Sequence, residues 1–223
     1  MGHKVHPTIF RMSTIYRWNS KWFASNLQEY SKFLREDLKI KNYLGKKLKE
    51  AGIDSIQIER NAKEAVVILN VAKPGIIIGR GGAGVEELRK DLQKRFFNKK
   101  FNLKVNVQEY SKPNLSAHIM IQTMIADLEK RMPFRRVLKS TIEKVRKAGA
   151  QGVKVMVSGR LNGAEIARRE MLVSGKIPLQ NLRADIDFAS DFARTIYGVI
   201  GVKIWIYRGE IFNKNTGHNL ANK

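Results

Sequence analysis

The chain has 223 residues, 43% of them hydrophobic, which is enough to bury one sizeable core or two modest ones and is unlike a disordered segment. It carries 42 Lys and Arg residues against 20 Asp and Glu residues, and the formal charge of +22 predicts a polyanionic partner whose binding weakens as salt rises. With no cysteine, four histidines that lack zinc-ligand spacing and only short apolar runs, we expect no disulfide, metal, cofactor, small-molecule substrate or membrane association.

The N-terminal segment, residues 1–25, is basic, because no acidic residue precedes Glu29. Its aromatic residues suit an arm that stacks on RNA, although the two tryptophans, Trp18 and Trp22, could equally attach the arm to the domain that follows. A mitochondrial transit peptide has a similar charge balance and stays an alternative. The candidate rRNA contacts in this arm are Lys4, His6, Arg11, Arg17 and Lys21.

An N-terminal domain is predicted over residues 26–110. Apolar residues recur at helical intervals from Asn26 to Ala51, and Gly52 follows as a stop signal. Alternating apolar residues then predict two strands, residues 56–58 and 66–71, joined by a turn at residues 61–64. After a cluster of glycines, the pattern predicts an amphipathic helix over residues 85–96 and a third strand over residues 101–107.

A second domain is predicted over residues 114–210, after the polar and turn-forming residues 111–114. Helical periodicity predicts two helices, around residues 119–128 and 134–148. Four alternating segments follow, at residues 153–157, 166–172, 184–188 and 202–206. We therefore predict an α+β protein of two domains, the second with two helices packed on a roughly four-stranded sheet. Residues 211–223 are predicted to be a flexible tail.

The glycine cluster Gly79-Arg80-Gly81-Gly82-Ala83-Gly84 matches the G-x-G-x-x-G pattern of dinucleotide-binding folds. That interpretation is weak, because the elements around it do not form alternating strands and helices. A phosphate-binding P-loop is excluded, since no Gly-Lys-Ser or Gly-Lys-Thr follows. The third interpretation is the GXXG loop of a KH domain, where bare backbone between two helices approaches RNA phosphates.

The order helix, strand, strand, helix, GXXG, helix, strand is that of a type II KH domain, which would span about residues 39–107. Gly79, Arg80, Gly81 and Gly82 are the candidate RNA-binding loop, with Arg80 supplying charge to a phosphate. The adjoining isoleucines, residues 76–78, could offer an apolar wall to bases. We expect two of the three to be core residues instead.

The second predicted helix of the C-terminal domain is strongly basic. Between Arg131 and Lys147 there are seven basic residues and a single acidic one, Glu143. Apolar residues occupy one side of the helix, so Arg135, Arg136 and Lys139 are expected to form an exposed ridge that grips phosphates. Further rRNA-binding candidates flank the predicted sheet, at Arg160, Arg168, Arg169 and Arg183.

Two carboxylates, Asp185 and Asp187, are expected on one face of a strand. A catalytic or metal-binding pair could be built from them, and a nuclease or lyase would then cleave RNA. The favoured alternative is that each aspartate pairs with one of the many nearby arginines. No convergent acid–base set supports an enzyme, and we predict none.

The sequence resembles the family of bacterial small-subunit ribosomal protein number three along essentially its whole length. The resemblance lies in five separated motifs: Gly2-His3-Lys4-Val5-His6-Pro7, the loop of residues 76–82, Val157-Ser158-Gly159-Arg160-Leu161-Asn162-Gly163-Ala164-Glu165-Ile166-Ala167-Arg168, Leu182-Arg183-Ala184-Asp185-Ile186-Asp187, and Tyr197-Gly198-Val199-Ile200-Gly201-Val202-Lys203-Ile204-Trp205-Ile206.

The resemblance implies a cytoplasmic component of the small-subunit head in a bacterial ribosome, with an organellar ribosome as the less favoured source. It implies binding to small-subunit rRNA, to head proteins ten and fourteen, and to proteins four and five at the mRNA entrance. It also implies that Arg135, Arg136 and Lys139 act on incoming mRNA there, with Met132-Pro133 as a departure just before them. The alternative function is a free-standing KH RNA chaperone or regulator.

Overall fold

The computed structural model describes residues 4–61, 64–97 and 102–212. Among them, residues 18–113 form one compact unit, and the residues up to Arg17 form a second unit together with the residues from Asn114 onward. The segment expected to be an independent arm is therefore divided between the two units. The tail residues 213–223 and residues 62–63 of the expected turn lie outside the described residues.

The helices and strands are numbered in chain order. The helices are α1 (Pro7–Phe10), α2 (Leu27–Lys47), α3 (Pro74–Ile78), α4 (Ala83–Phe96), α5 (Ala117–Glu129) and α6 (Phe134–Lys147). The strands are β1 (Ser20–Lys21), β2 (Ile53–Arg60), β3 (Glu64–Val71), β4 (Asn102–Glu109), β5 (Gly152–Gly159), β6 (Arg168–Gly175), β7 (Ala184–Thr195) and β8 (Gly198–Glu210).

The unit of residues 18–113 is built on a sheet with the strand order β1-β2-β3-β4. Strands β2 and β3 are antiparallel, whereas β4 runs parallel to β3. Alternate residues of β3 are buried, as the period of two of a strand requires, and they share a core with Ile40 and Leu44 of α2 and Leu88 and Leu92 of α4. The element order after β1 is α-β-β-α-α-β. This confirms the predicted type II KH fold.

Trp22 attaches the segment after β1 to helix α2. Its indole Nε1 donates a 2.8 Å hydrogen bond to Asp37, which also accepts a 2.9 Å hydrogen bond from Nε of Arg60. Both charged side chains are almost fully buried, so each neutralises the other in the core. Trp18, in contrast, is 72% exposed. Of the two tryptophans, Trp22 therefore has the attaching role.

The second unit contains an antiparallel sheet with the order β6-β5-β8-β7. Helix α5 lies over β7 and β8, and helix α6 lies over β5 and β6. Valines and isoleucines that alternate along β5 and β8 fill the space between sheet and helices. The predicted pair of helices on a four-stranded sheet is confirmed. Strand β6 begins at Arg168 and not at Ile166, which is 83% exposed after a turn of residues 161–163.

Candidate RNA-binding surfaces

The glycine loop joins α3 to α4 in a conformation that needs glycine. Gly79, Gly81 and Gly82 have φ angles of +67°, +62° and +80°, a left-handed region that other residues enter only with strain. Gly82 precedes the first turn of α4, and no side chain caps the amides there. Arg80 is exposed within the loop. The loop thus presents bare backbone and one cation beside the N-terminus of α4, a combination that suits a phosphate.

Gly84, in the first turn of α4, allows the two helices of the KH motif to meet. A Cβ atom at this position would lie 2.4 Å from the carbonyl oxygen of Ile77 and 3.1 Å from that of Ile78. Both neighbours are backbone atoms that cannot rotate away. Gly84 therefore sets the angle at which α3 approaches α4, and so the shape of the loop between them.

The three isoleucines of α3 do not divide as expected. Only Ile77 is buried, at 2% exposure, while Ile76 and Ile78 are 53% and 40% exposed. The expectation that two of them are core residues is wrong, because a five-residue helix turns only one narrow side toward the sheet. Two exposed isoleucines therefore adjoin the glycine loop.

Helix α6 gathers the predicted cationic ridge on one surface. Its opposite side is buried in the core through Phe134, Val137, Leu138, Thr141 and Val145. Arg135, Arg136 and Lys139 are all exposed. Arg135 and Arg136 lie in the first turn, after Pro133 at the N-cap, where the helix dipole disfavours a cation by about 0.3–1 kcal/mol each. Helix stability does not explain cations at this end.

Strand β6 contributes to the same surface. Glu170 accepts a 3.5 Å contact from Arg135 and a 3.8 Å contact from Arg168, and both guanidinium groups lie 5.7 Å from the ring centroid of Phe134. The Arg135 side chain is 70% exposed, so this ion pair contributes little to stability. Arg168, predicted as a separate rRNA contact, therefore extends the ridge of α6.

Arg11 is not an accessible RNA contact, and that prediction is wrong. Its side chain is fully buried, and the guanidinium donates to the carbonyl oxygens of Pro7, Pro178, Leu179 and Asn181 at 2.9–3.3 Å. These backbone acceptors make burial of the cation tolerable. A sequence pattern does not reveal this role, because three of the four acceptors lie about 170 residues further along the chain.

The other predicted cations of the N-terminal segment are accessible. Lys4, Arg17 and Lys21 are exposed, and Lys21 forms a 3.0 Å ion pair with Glu59. The ring of His6 packs edge-on against Phe188, with centroids 4.7 Å apart. Partial burial there, and then the nearby His118, lower the pKa of His6. His6 is therefore largely neutral at physiological pH and helps to hold the segment in place.

The remaining candidates have different environments. Arg160 is half-buried and donates to the carbonyl oxygens of Ala164 and Tyr197, so it supports the loop after β5. Arg169 and Arg183 are exposed, and Arg183 lies 5.9 Å from the ring centroid of Phe212. Arg169 and Arg183 are thus free to reach RNA, whereas Arg160 already has backbone partners.

Asp185 and Asp187 belong to a structural network. Asp187 accepts a 2.7 Å hydrogen bond from Arg208 and a 2.8 Å hydrogen bond from the amide of Ala117 at the start of α5. Asp185 accepts a 2.6 Å hydrogen bond from the hydroxyl of Tyr16. Pairing with arginine, the favoured alternative, matches this geometry, although the partner is Arg208, which sequence reasoning did not single out.

Neither a metal site nor a membrane span is present in the described part of the chain. Within it, no group of three or more His, Asp or Glu residues is arranged to hold a metal ion. None of its helices combines the length and the apolar character needed to cross a bilayer.

Both units match models of known protein families. A family model described as KH domain matches residues 39–115, and one described as ribosomal protein S3, C-terminal domain, matches residues 124–206. The small ribosomal subunit protein uS3 of Endomicrobium trichonymphae is 49% identical over 221 residues, which cover 99% of this chain and 93% of the relative.

Two further relatives carry the same name. The protein of Caldicellulosiruptor saccharolyticus is 49% identical over 211 residues, covering 95% of this chain and 94% of the relative. The protein of Oenococcus oeni is 48% identical over 217 residues, covering 96% and 81%. The resemblance seen in the five motifs is confirmed, and the chain belongs to the ribosomal protein S3 (uS3) family, a family of structural ribosomal proteins and not of enzymes.

Proposed function

We propose that this chain is a component of the small ribosomal subunit that binds rRNA and lines the path by which mRNA enters. The relatives named above are small-subunit proteins, which supports the assembly. The proposal for mRNA is carried by one observation, the exposed cationic ridge of Arg135, Arg136 and Lys139 at the start of α6.

The ridge is suited to a polyanion that passes along it. Three cations on adjacent turns of one helix grip phosphates without reading bases, as a surface for any mRNA must. Arg168 on β6 adds a fourth cation, and Glu170 is the acidic residue that contacts this surface through ion pairs with Arg135 and Arg168. The dipole of α6 adds to the positive potential at its N-terminal end.

A row of cations at a narrow entrance can aid unwinding without an energy source of its own. Separated strands place phosphates against Arg135, Arg136 and Lys139, while a duplex is too wide to enter. Each strand that is held by the ridge is kept from pairing again, and translocation of the ribosome supplies the work. The role is electrostatic positioning and involves no covalent chemistry.

The glycine loop and the exposed cations of both units are proposed to bind rRNA. In the KH unit these are Gly79, Arg80, Gly81 and Gly82, with the exposed Ile76 and Ile78 beside them as apolar contacts for bases. Elsewhere they are Lys4, Arg17, Lys21, Arg169 and Arg183. Head proteins ten and fourteen and entrance proteins four and five are the proposed neighbours, in a ribosome of the bacterial cytoplasm.

The mRNA role is tested by measuring translation through a stable hairpin that is placed within the coding sequence, downstream of the start codon. Subunits carry Arg135→Gln, Arg136→Gln and Lys139→Gln together, and the matched control carries Lys144→Gln, Arg146→Gln and Lys147→Gln at the other end of α6. We expect slower passage through the hairpin for the first variant alone, with unstructured mRNA translated normally by both. Equal hairpin rates for wild type and the first variant would remove the ridge from the mechanism.

Sedimentation separates the proposal from a free-standing KH chaperone or regulator. A built-in component stays with the small subunit through washes in high salt, because several surfaces hold it at once. A regulator that binds through one KH loop dissociates under those conditions.

A further inference from the structure

The C-terminal sheet has a second face, opposite the one that packs against α5 and α6. Register places its residues in rows: Val173-Lys154-Trp205-Phe188, Met171-Met156-Lys203-Ser190, and Arg169-Ser158-Gly201-Phe192, with Val199 and Arg194 beyond them. We call these positions the open face. The residues that alternate with them, such as Val155 and Ile204, are buried against α5 and α6.

Across the rows named above, the acidic residues lie on the helix side, where Arg168 and Arg208 pair with two of them. The carboxylates Glu170, Asp187 and Asp191 pair with Val157, Ile206 and Val202, and so lie on the helix side. The open face carries four cations, which are Lys154, Arg169, Arg194 and Lys203, and none of its positions is acidic. Because side chains alternate with a period of two, this division follows directly from the sequence of each strand.

Three cations of the open face lack an acidic partner in the part of the chain that the structure describes. Among the residues that the structure describes, Lys154, Arg169 and Lys203 form no ion pair with a carboxylate. Burial, and then repulsion from Lys4 and Arg169, lower the pKa of Lys154. An anion bound between these side chains would relieve that repulsion.

Apolar side chains lie between the cations and stay accessible. Phe192, Met171 and Val173 are 49%, 48% and 52% exposed, and the Lys154 ammonium lies 5.0 Å from the ring centroid of Trp205. One end of the sheet is closed, since Ile177 and Leu179 pack over Ile186 and the ring of His6 covers Phe188. The remaining rows keep exposed side chains among the described residues. They combine flat apolar surface with positive charge.

We propose that the open face binds a single-stranded segment of small-subunit rRNA, with a base stacked on Phe192 and phosphates paired with Lys154, Arg169 and Lys203. Sheets that carry aromatic and basic side chains bind single strands in this way, because every base has a face for stacking and every nucleotide a phosphate. Uniform positive charge favours RNA over an apolar protein partner. This inference rests on the proposed function in one respect, since that function identifies the bound RNA as rRNA.

The first test measures binding of the full-length protein to a dodecamer of uridylate over a range of salt concentrations. The test variant carries Lys154→Gln, Arg169→Gln and Lys203→Gln, and the control carries Lys32→Gln, Arg35→Gln and Lys39→Gln on the exposed side of α2. Loss of three phosphate contacts should make the salt slope shallower by about 2, because each contact to a single strand contributes about 0.7. Equal slopes for test and control variants would overturn the proposal.

Phe192 gives an independent measure that does not depend on charge. Phe192→Ala should weaken binding of the same oligonucleotide roughly fivefold or more, and Phe192→Tyr should restore it, since a phenol ring also stacks. Thermal unfolding of each variant identifies any that fail to fold. An unchanged affinity for a folded Phe192→Ala protein counts against stacking at this site and overturns the proposal.

A photoreactive residue in place of Met171 tests the face in the assembled subunit. Attachment to rRNA is the expected result, whereas attachment to another protein would overturn the proposal and make the open face a protein interface. The hairpin experiment on Arg135, Arg136 and Lys139 is separate. If that experiment fails while position 171 still attaches to rRNA, the mRNA role is rejected and the open face stands.

Discussion

Nη2 of Arg11 donates a 2.9 Å hydrogen bond to the carbonyl oxygen of Leu179, a residue 168 positions further along the chain. The same guanidinium bonds Asn181, Pro178 and Pro7, so a single cation ties the N-terminal segment to the loop before β7. Tyr16 adds a second tie through Asp185. Residues 7–16 are therefore part of the C-terminal unit.

Replacing Arg11 should destabilise this unit. Arg11→Met keeps much of the buried volume but leaves several carbonyl groups without their charged donor, and we expect a loss of at least about 2 kcal/mol in the free energy of unfolding. Urea denaturation measures the loss. Arg17→Met, at an exposed position, should change stability by less than about 0.5 kcal/mol. Equal stabilities of the two variants would mean that Arg11 does not hold the segment.

The network around Asp187 makes a related prediction. Asp187→Asn removes the charge that pairs with Arg208 and weakens the acceptor for the amide of Ala117, so we expect a loss of about 2 kcal/mol in unfolding free energy. Asp191→Asn, which alters an exposed carboxylate, is the control. Purified wild-type and Asp187→Asn proteins should both leave RNA intact. Cleavage of RNA that Asp187→Asn abolishes would instead reveal a catalytic carboxylate.

Two glycines of the KH unit should respond in opposite directions to the same substitution. Gly84→Ala forces a Cβ against the carbonyl oxygen of Ile77, so it should lower the melting temperature and weaken RNA binding by the glycine loop. Gly45→Ala, in helix α2 with open space around it, should raise stability by about 0.5–1 kcal/mol. If both variants were stabilised, the close contact between α3 and α4 would not be the constraint.

The environment of Tyr16 predicts that the protein loses stability at alkaline pH. Burial first, and then the negative charge of Asp185, raise the pKa of Tyr16 well above its ordinary value of 10.0. The folded protein keeps the phenol protonated where the unfolded chain loses its proton. The stabilisation is therefore complete below about pH 10 and is lost as pH rises further.

Comparison of wild type with Tyr16→Phe isolates this effect. The wild type should be more stable by about 1 kcal/mol near pH 8, because the hydrogen bond to Asp185 is intact. The advantage should shrink between about pH 10 and pH 11. A difference that stays constant over this range would show that the phenol does not titrate differently in the folded and unfolded states.

The fold could be predicted from local patterns. The period of two in β3, the helical period of α4 and the glycines between them specify the KH order, since each signal comes from neighbouring residues. The ridge of α6 could be predicted in the same way, because Val137 and Leu138 identify the buried side of the helix and therefore its exposed side.

Contacts between residues that are far apart in the sequence could not be predicted from local patterns. Arg11 carries the same charge as Arg17, and only the carbonyl groups of residues 178–181 distinguish the buried one from the exposed one. Lys154 and Lys203 were missed as candidates because alternation identifies the two faces of a strand but not which face the helices cover. The pairing of Met156 with Lys203 brings the open-face residues together. It depends on strand order, which local periodicity does not contain.

The central proposal is that the start of α6 meets mRNA as it enters the small subunit. The most direct measurement places a photoreactive residue at position 139, in subunits programmed with a defined mRNA, and maps the nucleotides to which it attaches. Position 46, an exposed lysine of the KH unit, serves as the control. We predict attachment of position 139 to mRNA downstream of the decoding site. Attachment only to rRNA or to other proteins, as at the control position, would contradict the account.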